Sequence, residues 1–213
     1  MNRNILVISV HPDDETLGCG GSLLKFKDQG DLINCLYITD GNSSQKAIIP
    51  SINKGYGFSK TFNLDFPELE IDDISLNKLI PAIAEVINDL KPSIIFIPNR
   101  SDIHSDHRRV FKAIIASTKT FRFPFIQKLL MCEIISETDF TPPLPETVFQ
   151  PNVFIDISNY FDKKLDIYKN FKSEIMDEPF TRSISTLEAH NRYRGSLINS
   201  TYAESFMLLK EIL

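Results

Sequence analysis

Short apolar runs alternate with amphipathic stretches through the first half of the chain. Ile5–Val10 and Leu32–Thr39 are β-rich runs closed by polar turns, the second by Asp40-Gly41-Asn42. Between them, residues Thr16–Gln29 predict a helix carrying Leu17, Leu24 and the cluster Gly18/Gly20/Gly21, with Gly30 placed to end it. Ser43–Asp73 shows little periodicity and predicts a long surface excursion, a common form for a binding loop. Ser75–Leu90 has Leu76, Leu79, Ile80, Ile83, Val86, Ile87 and Leu90 at helical spacing, and Pro81 should bend that helix or mark its true start. Ser93-Ile94-Ile95-Phe96-Ile97 is a near-continuous apolar run, as expected of a strand covered on both faces.

Beyond the polar segment Asn99–Arg109, helical spacing returns over Val110–Ser117. Lys128–Ile135 and Val153–Ile157 predict further strands, separated by the proline-rich Thr141–Pro145. Tyr160–Ile175 predicts an amphipathic helix with Phe161, Leu165, Tyr168 and Phe171 on one side, and Ser185–Arg194 another. The tail Tyr202–Leu213 suits strand or helix equally. Alternating β and α elements give an α/β layer fold around a mainly parallel sheet, expected as one domain over residues 1–213. Ligands of such sheets gather at the carboxyl ends of strands.

The first strand ends in His11-Pro12-Asp13-Asp14-Glu15, an imidazole and three carboxylates where the chain should be burying itself. An unpartnered buried carboxylate costs several kcal/mol, and a cation would relieve it. Of four histidines, His11, His104 and His107 lie in the two polar segments that follow apolar strands, with Asp13, Asp14, Asp102 and Asp106 beside them. Two or three imidazoles and a carboxylate suit a catalytic metal site. Either string alone serves equally as helix capping: Asp13 or Asp14 for the first helix, Asp106 for the one starting near His107. Their joint placement after two strands favours the metal.

Composition adds exclusions. A net charge of −5 with scattered Lys and Arg argues against nucleic acid as a partner. No apolar run approaches the roughly twenty residues of a membrane span, so a cytoplasmic location is the default expectation. Cys19, Cys35 and Cys132 form no Cys-x-x-Cys pair, which points to neither a disulfide framework nor a thiolate zinc site.

His11–Glu15 followed by Leu17-Gly18-Cys19-Gly20-Gly21 resembles the signature of the PIG-L/LmbE-type zinc-dependent N-deacetylases. Asp102-Ile103-His104-Ser105-Asp106-His107-Arg108 resembles their second motif, with Ser105 where proline is usual, and Arg194-Gly195 with Tyr202–Phe206 matches a further element. The resemblance implies a Rossmann-like three-layer domain with its metal site at the carboxyl ends of the strands. It also implies His11, Asp14 and His107 as ligands of Zn2+, or of Fe2+, which accepts the same set. Asp13 would be the general base, a protonated His104 would assist the oxyanion or leaving group, and Asp106 would orient His104 or a ligand. Pro12 would shape the turn and Glu15 support the site.

The family's arginine-bearing helix after the second strand has no counterpart, since Asn42–Lys54 contains no arginine; sugar contacts are therefore not carried over. Arg100, Arg122 and Arg182 are candidates for an anionic substrate group but read better as surface or ion-pairing residues. His190 reads as a helix-surface histidine, and Glu204 as a packing or hydrogen-bonding residue.

The reading is an N-acetylglucosamine-type amino-sugar conjugate as small-molecule substrate and hydrolysis of its acetamide, with a nucleotide- or lipid-linked sugar as the guess for its carrier. A metal-dependent phosphoesterase is the alternative, disfavoured by the want of bridging carboxylates and a basic clamp. A metal-binding protein without turnover is the third. Oligomeric state is not written in the pattern.

Overall fold

A computed structural model describes residues 2–213. Among these residues, seven strands and six helices follow in the order β1 (Asn4–Ser9), α1 (Asp14–Asp28), β2 (Leu32–Thr39), α2 (Ser43–Tyr56), β3 (Lys60–Phe66), α3 (Leu76–Leu90), β4 (Ile94–Ile97), α4 (Ser105–Ala116), β5 (Lys128–Cys132), β6 (Val153–Asp156), α5 (Phe161–Tyr168), α6 (Ile184–Ser196) and β7 (Ala203–Glu211). They form a single sheet ordered β3-β2-β1-β4-β5-β7-β6. The first five strands pair in parallel, and β7 runs antiparallel between β5 and β6.

The period-two alternation of β1 sorts its side chains to two faces. Ile5 and Val7 join a buried cluster with Leu17 and Leu24 of α1, Tyr56 of α2, Tyr168 of α5 and Leu187 of α6. Leu6, Ile8 and Val10 join the other, with Leu79, Ile83 and Ile87 of α3 and Val110 and Ile114 of α4. Both faces of the parallel strands are covered, which explains their unbroken apolar runs. The expected mainly parallel α/β sheet is what the chain forms.

Three expectations need correction. Ser43–Asp73 is not an excursion but α2, β3 and a 3-10 turn at Ile71–Asp73. Pro50 sits inside α2 and few of its residues are buried, so the apolar rhythm is faint. Its start is nonetheless encoded: the Asn42 side chain accepts from the backbone N–H of Gln45, and the Gln45 side chain accepts from that of Asn42. Pro81 does not mark the start of α3, which begins at Leu76 behind the cap Ser75 and runs through it. The helix expected over Tyr160–Ile175 stops at Tyr168. The ambiguous tail is a strand, completing the sheet between β5 and β6.

The sheet order reverses at β1, with β2 on one side and β4 on the other. At such a switch point the connections leave in opposite directions and open a crevice at the strands' carboxyl ends. His11 follows β1 and His104 follows β4, so two segments far apart in sequence converge there.

Candidate active site

Directly after β1 the chain turns sharply, and the turn is tied by its own carboxylates. Asp14 Oδ2 accepts from the backbone N–H of Val10 (2.9 Å) and His11 (2.8 Å), pointing back to the strand rather than forward as a helix cap. Glu15 is fully buried and accepts from Ser9 Oγ (2.9 Å), Asp13 N (3.1 Å) and Thr16 Oγ1 (2.8 Å), and burial pushes its carboxyl up to about 7. Asp13 stands at the N-cap position of α1 with φ +143°, a conformation that L side chains rarely adopt. Its side chain makes no capping bond and instead accepts from Arg182 (2.8 Å). Burial pushes the Asp13 carboxyl well up, against the pull of the Arg182 guanidinium. The capping roles open to Asp13 and Asp14 are thus not taken up.

The segment after β4 folds around Asp102, which is fully buried. Asp102 Oδ1 accepts from Asn99 Nδ2 (3.0 Å) and Thr138 Oγ1 (2.8 Å), and its Oδ2 lies 2.9 Å from His107 Nδ1. His104, not Asp106, caps α4: its Nδ1 accepts from Asp106 N at 3.2 Å. That bond leaves the ring proton on Nε2. Burial and the neighbouring imidazoles push His104 down to about 4, which works against the protonated form expected of it. The Asp106 carboxylate lies behind His11 rather than His104, with Oδ2 3.2 Å from His11 Nε2 and accepting from Leu69 N (2.9 Å).

The two segments meet face to face. His107 Nε2 is 3.3 Å from His11 Nδ1 and 3.4 Å from Asp14 Oδ2, and His11 Nδ1 is 4.0 Å from the same oxygen. His11, Asp14 and His107 can each offer a ligand atom within 4.8 Å of the others. These residues fit a divalent cation. Asp14 Oδ1 is buried with no hydrogen-bond partner, and Asp14 and Asp102 between them hold the His107 imidazole well above its ordinary pKa although burial opposes it. The direction of that shift favours positive charge in the cluster. Asp102 behind His107 and Asp106 behind His11 are the carboxylates that orient metal-bound imidazoles.

The family model described as GlcNAc-PI de-N-acetylase, PIG-L, matches residues 6–118, the stretch that holds both motifs. The chain belongs to the PIG-L deacetylase family. The chain is 30% identical to the uncharacterized deacetylase YaiS of Escherichia coli K12, over 80% of this chain and 91% of that protein. With the diacetylchitobiose deacetylase of Thermococcus kodakarensis it shares 24% identity over 99% of this chain and 84% of that one. The solved N,N'-diacetylchitobiose deacetylase from Pyrococcus horikoshii, complexed with its inhibitor MPG, superposes with a TM-score of 0.78 at 20% identity, covering 97% of this chain and 83% of that chain, a likeness of fold.

The other candidate residues of this PIG-L member also find their places. Arg182 is an ion-pairing residue, the second of the two roles expected of it: its guanidinium reaches Asp13, Glu174 (3.0 Å) and Glu137 (3.2 Å). His190 is partly covered and lies 3.2 Å from Glu133. Arg100 bonds the Glu146 carbonyl at the surface. Sequence reasoning gave no role to Asp102 or Glu137. Asp102 carried a signal in its place beside the second histidine string, whereas Glu137 carried none.

Proposed function

We propose that this PIG-L member hydrolyses the N-acetyl group of an N-acetylglucosamine-type conjugate, releasing acetate and the free amine. His11, Asp14 and His107 would hold the metal, zinc or ferrous iron. The observation that carries the reading is the convergence of those three ligand atoms beside a carboxylate, Asp13, that is absent from the cluster itself. When bound, a divalent cation supplies Lewis-acid polarisation of the amide carbonyl and acidifies water.

The rest is work for this chain's own side chains. Asp13 takes the proton of the attacking water, and burial makes its carboxylate more basic than an ordinary aspartate's. His104, neutral with its proton on Nε2, donates that hydrogen bond to the developing oxyanion, an interaction worth roughly 3–4 kcal/mol in comparable sites. The proton held by Asp13 goes to the departing amine. Glu15, bonded to the Asp13 amide, and Arg182 keep the base in place.

An amide suits the surroundings better than a phosphate ester. The one arginine at Asp13 is shared with Glu174 and Glu137, so it is no free phosphate clamp. Relatives named as diacetylchitobiose deacetylases support the sugar class.

Two variants test the division of labour. Asp13→Ala should lower kcat about 10²–10⁴-fold with metal content retained. His107→Ala should lose both activity and metal. Near-normal turnover in Asp13→Ala, or full metal content in His107→Ala, would overturn these assignments.

A further inference from the structure

Asp13 is held against its own backbone preference. Its φ of +143° is strained for any L residue, and no capping bond ties its side chain to α1. Its one side-chain hydrogen bond among the described residues comes from Arg182 Nη1, to Oδ2 at 2.8 Å, and no other residue donates to Oδ1. A carboxylate fastened by one oxygen is aimed by its partner.

Arg182 is itself fixed. Nη1 also serves Glu174 at 3.0 Å and Nη2 serves Glu137 at 3.2 Å, so two further carboxylates hold the fork. Its backbone is pinned as well: Tyr168 Oη donates to the Arg182 carbonyl (2.9 Å), the Thr181 and Ser136 hydroxyls pair at 2.6 Å, and Ser183 caps α6. Three carboxylates around one guanidinium leave it no net positive charge to offer an anionic substrate. A planar fork can satisfy them together, which the point charge of a lysine cannot.

We propose that Arg182 is a positioning residue: it fastens Oδ2 of Asp13 and so presents Oδ1 as the atom that accepts the proton. The proposal rests on Asp13 being the base. Glu137 and Glu174 hold the arginine, and the segment between α5 and α6 thereby becomes part of the site although it lies outside both motifs.

The test is steady-state acetate release by Arg182→Ala and Arg182→Lys, each with its metal content measured and each assayed with and without methylguanidinium. The wild type is run on the same substrate, so a silent wild type counts against the deacetylase reading, whereas a slow variant beside an active wild type bears on Arg182. Arg182→Ala should lose about 100-fold in kcat, the scale of a small misplacement of a reacting group, with KM and metal content little changed. Methylguanidinium, able to enter at a side chain only 16% exposed, should restore kcat in a saturable way. It should restore nothing in Asp13→Ala. The lysine variant, which keeps charge and most of the volume, should fold where alanine does not and retain an intermediate kcat. Unchanged kcat in either variant would overturn the proposal. So would a raised KM at unchanged kcat, the mark of a substrate contact, or a folded, metal-loaded Arg182→Ala that methylguanidinium does not restore.

Discussion

Each histidine of the His11–Asp14–His107 group is backed by a carboxylate outside that group. Asp102 stands behind His107 and Asp106 behind His11, and both are fully buried. Such partners fix the imidazole tautomer and raise ligand basicity. Asp102→Asn should therefore weaken metal binding about 10- to 100-fold, read by competition with a chromophoric chelator, while leaving His107 in place. Unchanged affinity would reduce Asp102 to a packing residue. His11, Asp13, Asp14, His104 and His107 were legible because two dense polar strings follow two apolar strands. The division between Asp102 and Asp106 was not, because it depends on how the turn after β4 wraps around Asn99 and Thr138. Arg182 was illegible as a site residue for a plainer reason: it sits in an irregular segment with no periodicity to place it.

At the scale of elements, α1 carries both the site and the device that holds it. The helix breaks at Cys19, where φ is −149° and ψ 15°, leaving a broken end on each side. Glu204 of β7 accepts from the N–H groups of Gly21 (2.9 Å) and Ser22 (2.8 Å), capping the second half. Lys164 of α5, fully buried, donates to the Leu17 carbonyl of the first half (3.1 Å) and to Glu204 (2.8 Å). One ion pair thus supplies acceptor and donor to the two sides of one break. Glycine at 21 also lets Ile157 pack closely against the break, since a Cβ there would stand 2.7 Å from Ile157 Cδ1. Glu204→Gln or Lys164→Met should each cost about 3–5 kcal/mol in urea unfolding, because one buried charge is left without its partner. A loss below 1 kcal/mol would mean that water reaches the break. The hydrogen-bonding role expected of Glu204 is what these contacts describe, but its partners could not be named before the break was seen. The missed helix α2 shows the converse: its cap was written at Asn42 and Gln45, while its faint apolar rhythm hid the body.

For the whole molecule, the switch point beside β1 decides where the candidate site lies, and the antiparallel strand β7 joins β5 to the edge strand β6. Glu133, just past β5, latches that junction by accepting from Arg194 and Ser205 Oγ (2.6 Å) and by lying against His190. Burial would raise the Glu133 carboxyl, yet His190 and Arg194 hold it at about 2. A carboxyl depressed on folding contributes stability that is complete above its unfolded pKa, near 4.5, and is lost as pH falls toward 2. Glu133→Gln should thus flatten the acid limb of stability between those values, by roughly 3 kcal/mol at most, as followed by thermal melts against pH. An acid limb identical to wild type would contradict the latch.

The central claim is that this chain uses a His11–Asp14–His107 metal centre to hydrolyse an acetamide on an amino sugar. Acetate release tests it most directly, measured with protein loaded with zinc or ferrous iron on N-acetylglucosamine, N,N'-diacetylchitobiose and larger N-acetylglucosaminyl conjugates. The account predicts equal yields of acetate and free amine from at least one substrate, abolished by chelator and restored when metal is returned. Folded, metal-loaded protein that releases acetate from none of them, or release that persists after complete removal of metal, would contradict it.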